Sequence, residues 1–175
     1  NYSYTISTTG GCNNPAATAT GNISISPNNT ISLTSASGTN DQTICINTPV
    51  TNISYSTTGA TGATFTGLPS GVTGSWNNNQ VTISGTPTIS GSFTYTVTTT
   101  GGCHNPMVTA SGNITVTPNN TLILTSAPET TNQTTCTNAP ITDVFYSTTG
   151  ATGATFTGLP DGVTGIWNGN QVTIS

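Results

Sequence analysis

The sequence predicts an all-β chain of tandem β-sandwich domains stacked as a rod or filament. An internal repeat, strand-period alternation and regularly spaced turn chemistry predict it. Cys12 recurs as Cys103 and Cys45 as Cys136, each pair 91 positions apart, and Tyr55–Pro69 returns letter for letter as Tyr146–Pro160. A period of about 90 residues is one domain, long enough to bury its own core. It divides the chain into 1–27, the last two strands of a repeat; 28–118, a complete repeat; and 119–175, a repeat lacking its last two strands.

Within the complete copy, Ile31 and Leu33 give a first strand. Alternation follows at Asn52-Ile53-Ser54-Tyr55-Ser56, Gln80-Val81-Thr82-Ile83-Ser84 and Asn113-Ile114-Thr115-Val116-Thr117. It is clearest at Ser92–Thr98, where Phe93, Tyr95 and Val97 share one side and hydroxyls the other. That period of two marks strands with one buried face. Between these runs, Gly67-Leu68-Pro69-Ser70-Gly71 joins a fixed proline φ to two permissive glycines. Asn77-Asn78-Asn79 and its copy Asn168-Gly169-Asn170 read as a hairpin tip, because Asn and Gly tolerate the left-handed region. Turns at this spacing predict a sandwich of roughly seven strands. Pro27-Asn28-Asn29 and Pro118-Asn119-Asn120 read as short junctions that leave neighbouring domains little freedom.

Composition excludes much chemistry. The chain has no Lys or Arg, four Asp plus Glu and one His. Without cations it cannot displace phosphate counterions, so nucleic acid is not an expected partner. Arginine clamps on phosphoryl groups and Schiff-base lysines are also absent. No apolar stretch is long enough for a membrane span, so no membrane insertion is expected in this segment. The four acids align with Asn132 for Asp41, Gly38 for Glu129, Asn52 for Asp143 and Ser70 for Asp161. No acid recurs in both copies, so neither a repeat-borne acid/base pair nor a carboxylate calcium site has ligands. His104 is lone, with Asn13 as its counterpart, and reads as a surface residue. Catalytic residues, metal ligands and cofactors are all expected to be none.

Three ordered motifs carry a resemblance: Gly67-Leu68-Pro69-x-Gly71, then Ile83-Ser84-Gly85-Thr86-Pro87, then Gly91-x-Phe93-x-Tyr95-x-Val97. Together they resemble the immunoglobulin-like repeats of bacterial surface proteins. With Cys45-x-Asn47-x-Pro49 and Thr100-Gly101-Gly102-Cys103 the chain is similar to tandem repeats of giant secreted adhesins of gliding, Bacteroidetes-type bacteria. The resemblance implies an extracellular, cell-surface filament used for adhesion or gliding motility. Members often carry an acidic residue after the Val97-type strand; here that place reads Thr98-Thr99-Thr100-Gly101, a departure that puts calcium dependence in doubt.

Two cysteines per unit without metal-ligand clusters point to disulfides and an oxidising exterior. Cys45 with Cys103 is the favoured intradomain pair, a loop worth about 4 kcal/mol of chain entropy, with Cys12 and Cys136 pairing to copies outside the segment. In immunoglobulin strand order, however, Cys45 precedes the second strand and Cys103 lies in the last hairpin, which can be opposite ends of a sandwich. The rival pairing joins one domain's early cysteine to the last-hairpin cysteine of the next.

The opening run Tyr2-Ser3-Tyr4-Thr5-Ile6 copies the strand at Phe93–Val97, and Ser175 copies Ser84. The expectation is a window cut from a longer array. The alternative is donation, with residues 1–27 of one molecule completing residues 119–175 of the next. Either gives neighbouring repeats of the same protein as the partners, in a long array or homopolymeric filament.

Trp76 and Trp167 are candidate contacts for surface glycans or a neighbour, against packing at the sandwich end. Phe145, replacing Ser54, should face outward between Val144 and Tyr146, with Ile166, replacing Ser75, contributing to the same patch. The expected function is that of a structural and adhesive repeat segment: a stiff, disulfide-stabilised stalk, not an enzyme. A carbohydrate-binding module array and spacer domains of a larger secreted enzyme are the alternatives.

Overall fold

A computed structural model describes residues 1–11, 16–103 and 107–175. Two strands, β1 (Tyr2–Ser7) and β2 (Thr18–Ile23), pair as an antiparallel hairpin. Eight strands follow: β3 (Thr30–Leu33), β4 (Asp41–Cys45), β5 (Ile53–Thr58), β6 (Gly62–Thr66), β7 (Val72–Asn77), β8 (Gln80–Gly85), β9 (Gly91–Thr100) and β10 (Thr109–Thr117). The remainder holds β11 (Thr121–Leu124), a short 3₁₀ turn at Pro128–Thr131, β12 (Val144–Thr149), β13 (Gly165–Asn168) and β14 (Gln171–Ile174).

The eight central strands form two sheets, ordered β3-β5-β8-β7 and β4-β10-β9-β6. Neighbours are antiparallel except β4, which runs parallel to β10 from Asp41↔Asn113 to Cys45↔Thr117. This is the strand order of an immunoglobulin-like sandwich whose first strand is split between the two sheets. The alternating runs of the sequence are strands, and β10 begins four residues before the run that the pattern showed. The Asn-rich tip is a tight hairpin with Asn78 and Asn79 at φ 47° and 63°. Beyond it the chain departs from expectation in one respect: the split first strand and β6 and β7 bring the count to eight.

Alternation puts Ile53, Tyr55, Val72, Val81 and Ile83 of one sheet against Tyr95, Val97, Ile114 and Val116 of the other. Ile53, Val81, Ile83, Tyr95, Val97 and Ile114 are fully buried, each contributing about 1.5–3 kcal/mol of transfer free energy. At the centre the Tyr55 and Tyr95 hydroxyls share a hydrogen bond of 2.8 Å across the sheets, so neither polar tip is orphaned. Asn29 fixes the entry to the unit, donating its amide to the Gly101 carbonyl at 2.9 Å.

Residues 121–174 build only one sheet, β11-β12-β14-β13. Its local bonds repeat those of the complete unit. Gln42 clasps the Thr51 backbone in one copy, and Gln133 clasps Thr142 in the other. Ser35 accepts from the Ser54 N–H, and Ser126 accepts from the Phe145 N–H, both at 3.1 Å.

Burial, followed by the hydrogen bond to Tyr55, pushes the Tyr95 phenol far above its ordinary value of 10.0. The folded state then holds a proton that an unfolded tyrosine releases, so stability is full below pH 10.0 and falls as pH rises past it. Urea midpoints of the central unit should stay flat up to that pH and drop beyond it. Tyr95→Phe should flatten the drop while costing about 1–3 kcal/mol at neutral pH, because the Tyr55 hydroxyl loses its partner.

Candidate functional site

The sandwich has two poles, and the cysteines mark them. Cys45 ends β4 opposite Thr117, next to the junction at Pro118. Cys103 follows β9 at the other pole, bridged to Asn28, with its Sγ 3.5 Å from the Ser26 carbonyl. The full run of β10, Thr109 to Thr117, separates the poles by about 26 Å at ~3.3 Å per residue. A disulfide needs Cα atoms within about 7 Å. The favoured Cys45–Cys103 bond is therefore corrected: both are exposed free thiols, as is Cys136. Strand order, which decides the pole, overrides proximity within the repeat. Cys12 and His104 lie outside the described residues.

Ser26 and Thr117 are copies of one another. One has a last-hairpin cysteine against its carbonyl; the other has an early cysteine as its ladder partner. The two cysteine types therefore share one junction residue.

Trp76 is half-buried against the core and donates its indole N–H to Thr57 Oγ1 at 2.9 Å. Trp167 repeats this with Thr148 at 3.4 Å. Phe145 and Ile166 both pair with Thr173, from opposite sides of β14, which places them in one row. Ile166 is exposed and Phe145 half-buried. Among the described residues no cluster of three His, Cys, Asp or Glu side chains could hold a metal ion.

Residues 119–175 leave an inner sheet face uncovered, the face that the donation alternative expects residues 1–27 of another molecule to complete. A groove of about 430 Å³ runs over β11, β12 and β14, lined by Leu122, Tyr146, Phe156, Val172 and Ile174 among others. In the complete unit the matching face lies under β9 and β10. The hairpin β1–β2 is bare in turn, with Tyr4, Ile6, Ile23 and Ile25 all exposed. The signal was present in the repeat, since these residues copy Tyr95, Val97, Ile114 and Val116.

No family model matches the chain, and no curated protein matches it. Among solved structures it is similar to a substructure of titin A168169, with a TM-score of 0.42 and 7% identity over 77% of each chain. It is similar also to the titin domains z1z2 solved in complex with telethonin, with a TM-score of 0.40 and 10% identity over 86% of this chain and 82% of that one. A third likeness is to domains 4–9 of the surface layer protein SbsC, with a TM-score of 0.38 and 12% identity, covering 90% of this chain but 28% of that one. Likeness at this level adds nothing to the sheet order described above.

In the folded monomer, Cys45 and Cys103 should both react with a maleimide without denaturant, and reductant should leave the melting temperature unchanged. A Cys45–Cys103 linkage found within one chain by non-reduced peptide mapping would overturn the pole assignment.

Proposed function

We propose that this chain is a structural and adhesive repeat segment of an extracellular bacterial surface filament, of the kind used in attachment or gliding. Its divisions are 1–27, 28–118 and 119–175. Its role is mechanical: the unit carries load from one pole to the other without yielding.

The parallel pair β4–β10 carries this reading. β4 lies near the start of the unit and β10 at its end. Tension applied across the unit pulls β4 toward its own beginning and β10 toward its own end. Because the strands are parallel, these forces oppose each other along one axis and load the whole ladder in shear. An antiparallel hairpin pulled at adjacent ends opens one bond at a time instead. Five register pairs share the load, and Ile46 extends them by donating its N–H to the Thr117 carbonyl at 2.9 Å. The surface supports the same role: charged residues are 2% of the chain, so its hydration depends little on salt. Sugar recognition is less well supported, because both tryptophans turn their N–H groups inward.

Pulling the chain from its ends should give a distinct force peak for the complete unit. Ile46→Pro deletes one clamp bond and should raise the unfolding rate about fivefold or more, read as a lower peak force. A peak insensitive to this change would sink the clamp. Antibody against residues 28–118 should decorate threads outside intact producing cells; label confined to the cell interior would end the filament reading.

A further inference from the structure

We propose that the entry to the complete unit binds a monovalent metal cation, sodium or potassium, among the neutral oxygens of Asn29 and the backbone packed around it. The site goes beyond the mechanical reading and stands without it.

Asn29 is 5% exposed. Its amide nitrogen is occupied, donating to the Gly101 carbonyl at 2.9 Å and to Thr99 Oγ1 at 3.4 Å. Its Oδ1 is buried too and has no hydrogen-bond partner among the described residues. Buried polar groups are almost always paired, so this oxygen needs a partner from outside them. Turning the amide over moves the conflict without ending it. Oδ1 would then face the Gly101 carbonyl at the same 2.9 Å, acceptor against acceptor, and Gly101 would lose its donor.

More acceptors gather beside it. A Cβ at Gly102 would strike the Gly59 carbonyl oxygen and lie 2.7 Å from Asn29 Oδ1, so both acceptors border one side of Gly102. A Cβ at Gly59 would lie 2.6 Å from the Pro27 carbonyl oxygen and 2.8 Å from that of Asn28. The entry segment, the turn between β5 and β6, and the residues just after β9 therefore bring their oxygens into one neighbourhood. Gly59 and Gly102 permit the approach, both at positive φ, 74° and 70°, and without side chains to fill the space. Part of this cradle recurs at the next junction. There a Cβ at Gly150 would lie 2.7 Å and 2.9 Å from the Pro118 and Asn119 carbonyl oxygens.

The chemistry selects the ligand class. An oxygen that only accepts is matched by a hydrogen-bond donor or by a cation. The chain has no Lys or Arg to be that donor. Every oxygen named is an amide or carbonyl oxygen, and none is a carboxylate. Calcium sites draw on carboxylates, whereas backbone carbonyls can replace the hydration shell of a monovalent ion. A formal net charge of −4 with no fixed cation also attracts cations to the protein. A bound ion would tie the entry segment to the β5–β6 turn and to the end of β9 at once, stabilising the folded unit by linkage.

Melting of the full chain is compared at one ionic strength in sodium, potassium and tetramethylammonium chloride, so that screening is equal and only the fit of the ion differs. Sodium or potassium should raise the melting temperature of the central unit by roughly 4–8 °C over tetramethylammonium, the shift expected when the ion exceeds its dissociation constant several times over. Calcium added to the tetramethylammonium buffer should give no such rise. Asn29→Ala should melt at one temperature in all three salts. That variant also loses the Gly101 bond, so a second measurement uses the parent chain alone. Its presence should broaden the sodium NMR line, and potassium, but not tetramethylammonium, should sharpen the line again. Equal melting in all three salts, the result if a water serves Oδ1, would overturn the proposal. So would a salt shift that survives Asn29→Ala, a calcium shift larger than that of sodium, or a sodium line that potassium leaves unchanged. The force peak of the central unit is read in a single salt, so a peak without any ion effect leaves the mechanical reading standing.

Discussion

An apolar sheet face must be covered, and in the central sandwich the cover is its last hairpin, β9–β10. Most features of the complete unit depend on it. β9 supplies the ladder on which β6 forms, and β10 supplies the one on which β4 forms. The buried tyrosine pair and the fastening of Asn29 need the same two strands. Residues 119–175 show the consequence of its absence. Their sheet keeps its internal pairing and its Gln133 clasp, because those partners are local to the half-sandwich. The stretches matching β4 and β6 have no neighbour and are not strands.

This also sets what could be read from sequence. The runs at β5, β8, β9 and β10 were legible because aliphatic and aromatic residues alternate with hydroxyls along their length. β4, with Asp41-Gln42-Thr43-Ile44-Cys45, and β6, with Gly62-Ala63-Thr64-Phe65-Thr66, lack that contrast. The second case is decisive, because Gly153–Thr157 has the same five residues as β6 and is not a strand. Identical letters take different states when the neighbouring backbone differs, so strand content at such places belongs to the pairing rather than to the segment. Phe145 and Ile166 flank Thr173 in one row, Ile166 exposed and Phe145 half-buried. The cysteine poles were not legible, because they depend on which sheet each half of the split strand joins.

Glycine positions carry a related lesson. Gly67 and Gly158 both adopt positive φ, at 75° and 73°, so the local turn alone favours glycine at each. Only Gly67 is also crossed by another backbone. One residue type thus answers two constraints in the closed sandwich and one in the open half. A turn motif such as Gly-Leu-Pro-x-Gly marks the chain reversal, while the close approach it permits is visible only once the covering strand is in place.

The charge balance bears on what the open edges can do. Soluble β proteins commonly blunt exposed edges with lysines, prolines or inward-pointing charges, which oppose strand addition by another chain. With no Lys or Arg at all, this chain lacks the commonest of those devices. Its polar surface is instead hydroxyl and amide, groups that hydrogen-bond to a neighbouring strand as readily as to water. The hairpin β9–β10 and the sheet it covers are apolar on the side that closes and hydroxyl-rich on the other. Such a surface offers little resistance to pairing in general, so correct pairing must come from shape. The staggered pattern of Tyr95, Val97, Ile114 and Val116 against Tyr55, Val81 and Ile83, with glycines clearing the backbone path, supplies that shape. A one-residue slip would turn those side chains to the wrong face, and register is thereby set by the core itself.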